Sequence, residues 1–290
     1  MNNQPVERIP ADDERFRALR DRSRAFWEGA NENSLLRVAY VSALSMPVRL
    51  PQAGGGAITH AERLTPDMVD PSALIDEVER WDAGRLDGTL RAQGQYLVAV
   101  GTGDFMPHAS PLLKIPWPEA ILGCPLKMTE GQIWDERYPG DPQEIIDRGA
   151  NFAHNPWFQL YCEFARQLQD RLGDRFPLAL ASYRGPSDLV AAIIGVQRAC
   201  IGWIEEPAMM ARLMRVCTDL LLQMVEAGDK LLRPTAGGYA GSWGPWAPQP
   251  TVGTQSDHSV LLSPRMYARQ ILPYDREVLA SRPLSLFHLH

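Results

Sequence analysis

The stretch Tyr96-Leu-Val-Ala-Val100, closed by Gly101-Thr-Gly-Asp104, indicates the fold class of this chain. A short, continuous apolar run that ends in a turn is typical of a strand buried on both faces, as in a parallel sheet. Gly101 and Gly103 follow the strand, but no helix is predicted to open there, as a dinucleotide-binding fold would require. The stretch therefore favours a barrel of alternating strands and helices over a doubly wound sheet.

Further buried strands alternate with amphipathic helices along the chain. We predict strands over residues 176–181 and 284–290, and a helix that opens at Pro156 and ends at Gly173. This alternation predicts a parallel sheet covered by helices, which we interpret as an α/β fold of the (β/α)8 TIM-barrel type. Residues 1–90 would form an N-terminal helical segment and loop, and residues 91–290 a partial barrel, within one structural domain.

The last residues of the chain read as an apolar strand without a helix to cover it. The sequence predicts about five strands, whereas a closed barrel of this type needs eight. We therefore expect a barrel truncated at its C-terminus. The alternative is an open sheet whose terminal strand lies at an edge.

Charge and composition exclude several classes of partner. The 290 residues carry a formal net charge of −6, and the lysines and arginines are scattered. Nucleic-acid binding proteins cluster such residues, so we expect neither nucleic-acid nor membrane binding. The polar N-terminus lacks a signal peptide's apolar core, and no run approaches the roughly 18 apolar residues of a membrane span. The four cysteines form no CxxC pair, which together with these features indicates a cytoplasmic protein.

Several segments occur in an order and spacing that resemble a known superfamily. They are Gly103-Asp-Phe105, Glu119-Ala-Ile-Leu-Gly-Cys-Pro125, Gly131-Gln-Ile-Trp134, Tyr183-Arg-Gly-Pro-Ser-Asp-Leu189, Gln255-Ser-Asp-His-Ser-Val-Leu-Leu-Ser-Pro-Arg-Met-Tyr267, Leu272-Pro-Tyr274 and Phe287-His-Leu-His290. Together, over roughly residues 90–290, they resemble the uroporphyrinogen decarboxylase superfamily, in particular its decarboxylase-like branch and the cobamide-dependent methyltransferases. The resemblance implies a TIM barrel and either methyl transfer or decarboxylation.

Two departures from the family pattern matter. Uroporphyrinogen decarboxylases carry an arginine-rich N-terminal motif for substrate carboxylates, and the nearest segment here keeps only Arg49. A substrate with many carboxylates needs cationic partners, so this departure argues against a porphyrinogen. The methyltransferase zinc motif has cysteine where His290 stands, and its third ligand would lie outside this chain.

Three residues are candidates for acid–base chemistry. Asp104 follows a predicted strand, at the end where barrels place their chemistry, and it resembles the family's key aspartate, which would bind pyrrole N–H groups. The alternative is a turn aspartate. Asp257 and His258 could act as a carboxylate and a proton shuttle, although neighbours on an extended segment point to opposite sides. Asp257 could instead cap the following helix.

His288 and His290 are candidate metal ligands. Two residues apart on a predicted strand, they project to the same side, and imidazole suits zinc. Two ligands do not complete a catalytic zinc site, which takes three protein ligands. The alternative is a pair of polar histidines inside the barrel.

Aromatic and basic residues are candidates for substrate binding. Trp134, Trp243 and Trp246 could form a wall for a flat macrocycle, or they could pack loops. Tyr183 and Arg184 flank a Gly-Pro turn at a strand end, where Arg184 could bind a carboxylate or remain exposed.

These residues support three hypotheses. The first is a methyltransferase that moves a methyl group from a corrinoid, as co-substrate on a corrinoid protein, to a nucleophile activated by zinc. The second is a decarboxylase in porphyrin biosynthesis that acts on a tetrapyrrole without a cofactor. The third is a non-catalytic barrel that binds a corrinoid or a partner. All three involve a small-molecule ligand or a partner protein, and a homodimer is compatible with each.

Overall fold

The computed structural model describes residues 14–30, 48–52, 55–79, 98–99, 108–110, 115–174, 177–179, 183–235, 237–241 and 245–289. These residues form a mixed α/β structure, the broad class that the sequence predicts. Its helices are α1 (Glu14–Trp27), α2 (Pro71–Glu79), α3 (Trp117–Leu122), α4 (Pro142–Arg148), α5 (Pro156–Leu172), α6 (Pro186–Ile194), α7 (Val196–Glu205), α8 (Pro207–Leu231), α9 (Pro264–Met266) and α10 (Leu272–Leu279). Short 3-10 turns span Pro66–Met68 and His258–Leu261, and a π-helical turn, Tyr267–Ile271, joins α9 to α10.

The strands are short. They are β1 (Leu50–Pro51), β2 (Ala57–Ile58), β3 (Ala61–Leu64), β4 (Val98–Ala99), β5 (His108–Ala109), β6 (Leu126–Thr129), β7 (Gln132–Asp135), β8 (Tyr183–Arg184), β9 (Tyr239–Ala240), β10 (Trp246–Ala247), β11 (Thr251–Ser256) and β12 (Leu284–Leu289). Within the described ranges each sheet has two or three strands, and none closes on itself. The mixed α/β class is therefore as predicted, but a closed (β/α)8 barrel is not shown.

One three-stranded sheet is parallel, in the order β12-β11-β8. Its central strand, β11, pairs in parallel with both neighbours, and all but one of its residues are buried. Burial on both sides of a parallel strand matches the covering of such sheets by helices. The second three-stranded sheet, β3-β6-β7, is antiparallel and contains a tight β6–β7 hairpin.

The strand that suggested a barrel pairs differently from the prediction. Only Val98–Ala99 of that strand is described, and β4 pairs antiparallel with β5. Ala109, at the end of β5, forms a parallel bridge with Leu178, which lies in the predicted strand 176–181. An apolar run indicates burial but does not specify the partner strand. The antiparallel pairing of β4 therefore corrects the parallel pairing that the sequence predicted for this strand.

The sequence from Gly185 to about Cys200 predicts a single helix, but the structure divides it in two. Helix α6 ends at Gly195 and α7 starts there, with 109° between them. Gly195 has φ of +88°, a conformation that costs glycine little and other residues more. The bend brings Val196, at the start of α7, into the same pocket lining as Arg184, at the end of β8.

The long helix α8 forms the centre of the core. It packs against α5, α6, α7 and α10. Its buried stripe consists of Met210, Leu213, Met214, Val216, Cys217, Thr218, Leu220, Leu221, Met224, Val225 and Gly228. The helical spacing of these methionines predicts core residues, because methionine fills irregular apolar gaps, and their burial confirms this prediction.

No single helix in the described ranges is long and apolar enough to cross a membrane. The bent pair α6–α7 meets the length and composition test only when its two halves are taken together.

Candidate functional site

The carboxyl ends of β8, β11 and β12 lie side by side at one edge of the parallel sheet. Arg184 is paired with Gln255, and Gln255 with His288. Residues paired across neighbouring strands project to the same face of a sheet. The backbone therefore places these three side chains in one row, at the edge where parallel α/β folds bind ligands.

The turn after β8 brings helix α6 against β11. A side chain at Gly185 would meet the backbone: its Cβ would lie 2.1 Å from the carbonyl oxygen of Gln255. Glycine is required at this close approach. Pro186 then opens α6, so the first turn of this helix faces the end of β11.

Asp188, in the first turn of α6, fixes the turn that follows β11. Its carboxylate accepts the backbone N–H of Asp257 at 3.1 Å and the backbone N–H of His258 at 2.8 Å. Burial raises the pKa of Asp188, and these two hydrogen bonds act against that rise. The side chains of residues 257 and 258 are thus oriented by a carboxylate of a different element.

His258 is held by an indole. The Nε1–H of Trp203, on α7, donates to Nε2 of His258 at 3.1 Å. An indole nitrogen can only donate, so Nε2 must be unprotonated and Nδ1 carries the proton of the neutral ring. A proton on Nε2 would face another N–H. Burial also lowers the pKa of His258, which is 5% exposed. His258 is therefore a neutral hydrogen-bond donor through Nδ1.

Arg184 lies between two carboxylates from other elements. Its Nε is 3.0 Å from Oε1 of Glu119, on α3, and its Nη1 is 3.0 Å from Oδ1 of Asp135, at the end of β7. The Asp135 contact is a hydrogen bond, whereas Oε1 of Glu119 accepts none and is held by proximity of charge. The Arg184 side chain is 36% exposed and that of Glu119 1%.

Burial raises the pKa of Glu119 to about 7. The positive charge of Arg184 lowers the pKa, but not enough to offset burial, and Asp135 and Asp188 add to the rise. The charge of the Glu119 carboxyl group therefore changes near neutral pH.

These residues surround a pocket of about 220 Å³. Its lining consists of Arg184, Asp188, Ala191, Val196, Asp257, His258 and Leu261. Arg184 is the cation of this described lining, beside the polar residues Asp188, Asp257 and His258. The remaining lining residues, Ala191, Val196 and Leu261, are aliphatic. Val196 and Leu261 are largely exposed, as is Val260 beside them. The pocket therefore opens at an apolar rim.

The structure brings three of the sequence-predicted residues together: Arg184, Asp257 and His258 line the one pocket. The Asp257 carboxylate also accepts a hydrogen bond from the Gln255 amide at 2.7 Å. His288 is exposed, in register with this row on the next strand. Tyr183 lies on β8, where only its backbone is described. Asp104, Trp243 and His290 lie outside the described residues.

The predicted tryptophan wall is not assembled in the described part of the chain. Trp134 lies on the β6–β7 hairpin and is 55% exposed, whereas Trp246 is 1% exposed. The Arg24 guanidinium lies 5.7 Å from the centre of the Trp246 ring, and the Trp27 indole donates to the Trp246 carbonyl oxygen. Trp246 thus packs the N-terminal helix onto the body of the protein.

Sequence reasoning missed four residues that build the site: Glu119, Asp135, Asp188 and Trp203. A signal existed for Glu119, which stands between tryptophan, proline, alanine and isoleucine and is an ionisable residue on an apolar helix. Such residues are rarely buried without a partner. Asp188 resembles an ordinary first-turn carboxylate, and nothing local marks Trp203.

The described residues contain no group of three histidine, cysteine or acidic side chains that could hold a metal ion. His288 is the one sequence-predicted ligand among them. Burial raises the pKa of Cys124 to about 12 and that of Cys217 well above its ordinary value. Both remain thiols at neutral pH, in the interior, and neither is a ready metal ligand.

The fold resembles that of a solved methyltransferase. A methyltransferase from Methanosarcina mazei superposes with a TM-score of 0.55 and 12% sequence identity, over 94% of this chain and 69% of that one. At this identity the likeness concerns the fold alone. Comparison with protein families and with curated protein sequences finds no match.

Proposed function

We propose that this chain is a methyltransferase-like enzyme that binds a small substrate in the pocket at the carboxyl edge of its parallel sheet. The observation that carries the proposal is the convergence of Arg184, Asp257 and His258, from two strand ends, on one pocket. Its position is the one at which α/β folds bind their ligands. The fold of a solved methyltransferase supports the type of reaction.

Each lining residue has a chemical task in this proposal. Arg184 binds an anionic group of the substrate, because a guanidinium offers several N–H donors in one plane. His258 donates through Nδ1, in the tautomer that Trp203 imposes. The aliphatic wall of Ala191, Val196 and Leu261 receives the apolar part of the substrate. Asp257 accepts hydrogen bonds or a proton from the reacting group.

The methyl donor in this proposal is a methylated corrinoid carried by a separate protein. The pocket of about 220 Å³ is smaller than the roughly 300–1,000 Å³ of typical sites for larger ligands, so a macrocycle would approach the mouth rather than enter. Val196, Val260 and Leu261 give that mouth an exposed apolar rim. Exposed apolar residues around a polar pocket suit contact with another protein.

We propose His288 and His290 as two ligands of a zinc ion. A bound zinc ion would lower the pKa of the methyl-accepting nucleophile. The described residues do not make a zinc site by themselves, since His288 stands without two further ligands nearby. Metal analysis of purified protein tests this assignment: we expect zinc near one equivalent in wild type and a clear loss in His288→Ala. Wild-type protein without zinc would contradict it.

The reaction is tested with methylcobalamin as the donor and a panel of thiols and amines as acceptors, followed by the change in corrinoid absorbance. We expect turnover that Arg184→Met lowers at least tenfold, since the variant lacks the guanidinium that orients the substrate. Arg212→Met is the matched control, because Arg212 is exposed, pairs with Asp147 and is not part of the pocket lining. Absence of turnover with every acceptor, or equal rates in both variants, would contradict methyl transfer.

The decarboxylase hypothesis has weaker support. A tetrapyrrole with many carboxylates needs several cations, whereas the described pocket lining has one, which already contacts two carboxylates. Incubation with uroporphyrinogen is the direct test, and we expect no loss of carboxyl groups. Corrinoid binding without turnover of either kind would favour the non-catalytic hypothesis.

A further inference from the structure

Arg184 contacts two carboxylates that differ in their burial. Asp135 is partly exposed and forms a hydrogen bond with Nη1, whereas Glu119 is buried behind Nε. With both carboxylates ionised, the three groups carry a net negative charge. With a proton on Glu119, the pair of Arg184 and Asp135 is neutral as a whole, and the guanidinium faces one carboxylate instead of two.

Glu119 is the carboxylate of helix α3, and the described elements around this helix supply its charged neighbours. Helix α3 contacts α5, α6, α8 and β8. The titratable or charged groups near it are Arg184 on β8, Asp135 on β7, Asp188 on α6, Cys124 after α3, Cys217 on α8 and, around Trp117, Tyr161 on α5. Arg184 is the cation of this set, and the two cysteines are neutral thiols.

We propose that a proton on Glu119 controls the anion affinity of Arg184, so that the pocket binds a small carboxylate or similar oxyanion in the state with Glu119 protonated. Glu119 is thus a positioning residue that acts through Arg184 and does not touch the ligand. This inference rests on the pocket assigned under the proposed function, but not on methyl transfer. It names the ligand group that the pocket receives: a single small anion.

An incoming carboxylate competes with Glu119 and Asp135 for the guanidinium of Arg184. Like charges brought to one cation at low solvent exposure repel strongly, because water screens them little. Protonation of Glu119 removes the negative charge of one of these competitors. Glu119 is the more buried of the two carboxylates, so water screens its charge least. Asp188 differs from Glu119 because it accepts two backbone N–H groups, which favour its ionised form and act against the rise in pKa that burial causes.

The pH at which the change occurs follows from the pKa of Glu119, which is about 7. If only the protonated form binds the anion, the apparent dissociation constant is divided by the protonated fraction. Affinity is then constant below pH 7 and falls about tenfold for each pH unit above it. The reverse linkage also holds: a bound anion raises the pKa of Glu119.

The test uses acetate as the probe and measures its dissociation constant by NMR titration from pH 5.5 to 8.5. In wild type we expect a constant value up to about pH 7 and a tenfold weaker affinity per pH unit beyond it. Glu119→Gln, which mimics the protonated carboxyl, should bind acetate with no such decline. Asp275→Asn is the matched control: burial also raises the pKa of Asp275 to about 7, and this variant should keep the wild-type decline.

Three results would overturn the proposal: no acetate binding below pH 7, a flat profile in wild type, or the same decline in Glu119→Gln. Should that variant fail to fold, ¹³C-glutamate NMR of wild-type protein decides instead. We expect one glutamate to titrate near pH 7 and to shift to higher pH when acetate is added. No such glutamate would contradict the proposal. Methyl transfer can fail while this pH dependence is observed, so the two proposals are separable.

Discussion

Replacement of Glu119 by glutamine should stabilise the protein at neutral pH and have little effect in acid. The unfolded chain releases the Glu119 proton near its ordinary pKa of 4.5, whereas the folded protein retains it to about pH 7. Between these values the unfolded state ionises and the folded state does not, so the wild type loses stability as the pH rises from 4.5 to 7. Above pH 7 both states are ionised and the loss is complete.

The size of the effect follows from the same pKa. At about 1.4 kcal/mol for each pKa unit, a rise from 4.5 to about 7 corresponds to about 3 kcal/mol. Glutamine has nearly the shape of a protonated glutamic acid but cannot ionise, so the variant escapes this loss. We expect the variant to be more stable by about 1 kcal/mol at pH 5, where the unfolded chain is already partly ionised, and by about 3 kcal/mol at pH 8.

Urea denaturation at pH 5, 6, 7 and 8, followed by tryptophan fluorescence, measures the difference in unfolding free energy at each pH. Glu205→Gln is the matched control, because it makes the same substitution at an exposed glutamate. A difference between wild type and Glu119→Gln that is the same at pH 5 and pH 8 would show that the carboxyl ionises as readily in the folded as in the unfolded state. The electrostatic argument for the site would then be wrong.

Three further predictions address the elements that shape the site. Gly185→Ala should destabilise the protein by roughly 2 kcal/mol or more, because its Cβ would lie 2.1 Å from the Gln255 carbonyl oxygen; thermal denaturation measures this, and an unchanged midpoint would contradict the close approach. Trp203→Phe removes the donor that opposes protonation of His258, so the pKa of His258 should rise in an NMR titration, and an unchanged value would contradict the assigned tautomer. Asn155→Ala removes the side chain that accepts two amides at the start of α5 and should cost about 1 kcal/mol in a urea titration, whereas no change would show that the cap is replaced by solvent.

The helices could be predicted from the sequence where their ends carry strong local signals. Helix α5 begins at Pro156 behind the capping residue Asn155 and ends at Gly173, as the pattern indicated. The break at Gly195 was missed because a glycine within an apolar helical pattern is compatible with an uninterrupted helix. The bend depends on the packing of α7 against α6 and α8, which the local sequence does not reveal.

The strands were harder to predict, because their pairing depends on distant residues. The aromatic, glycine and proline residues of the stretch 239–253 predict a long loop, but β11 starts inside it. Its Thr, Gly and Gln residues do not form the apolar run from which a buried strand is predicted. Its burial comes from the helices α6 and α10, which contact it, and from β8 and β12, which pair with its two edges. Strand pairing of this kind is set by tertiary contacts more than by intrinsic preference.

At the site, residues at the ends of the parallel strands could be predicted, whereas residues on helices, and Asp135 at the end of an antiparallel strand, could not. Arg184, Asp257 and His258 stand at strand ends, where ligand sites of α/β folds gather. Glu119 and Asp188 act from helices, and their partners lie more than 60 residues away along the chain. No local pattern connects a buried glutamate on one helix with an arginine that follows a strand.

Stability alone does not account for the Glu119–Arg184–Asp135 network. Buried ion pairs stabilise a fold weakly, because desolvation offsets much of their attraction. By the reasoning above, the ionised Glu119 lowers the stability of the folded state by about 3 kcal/mol above pH 7, and an uncharged residue would avoid that loss. Residues that reduce stability are typical of functional sites, where the geometry serves binding instead of folding. Arg184 is the cation of the described pocket lining, and Glu119 contacts it from the buried side. This position is consistent with a role of the network in ligand binding. A Glu119→Gln variant that gains stability at pH 8 and also loses the pH dependence of anion binding would show both effects to have one origin.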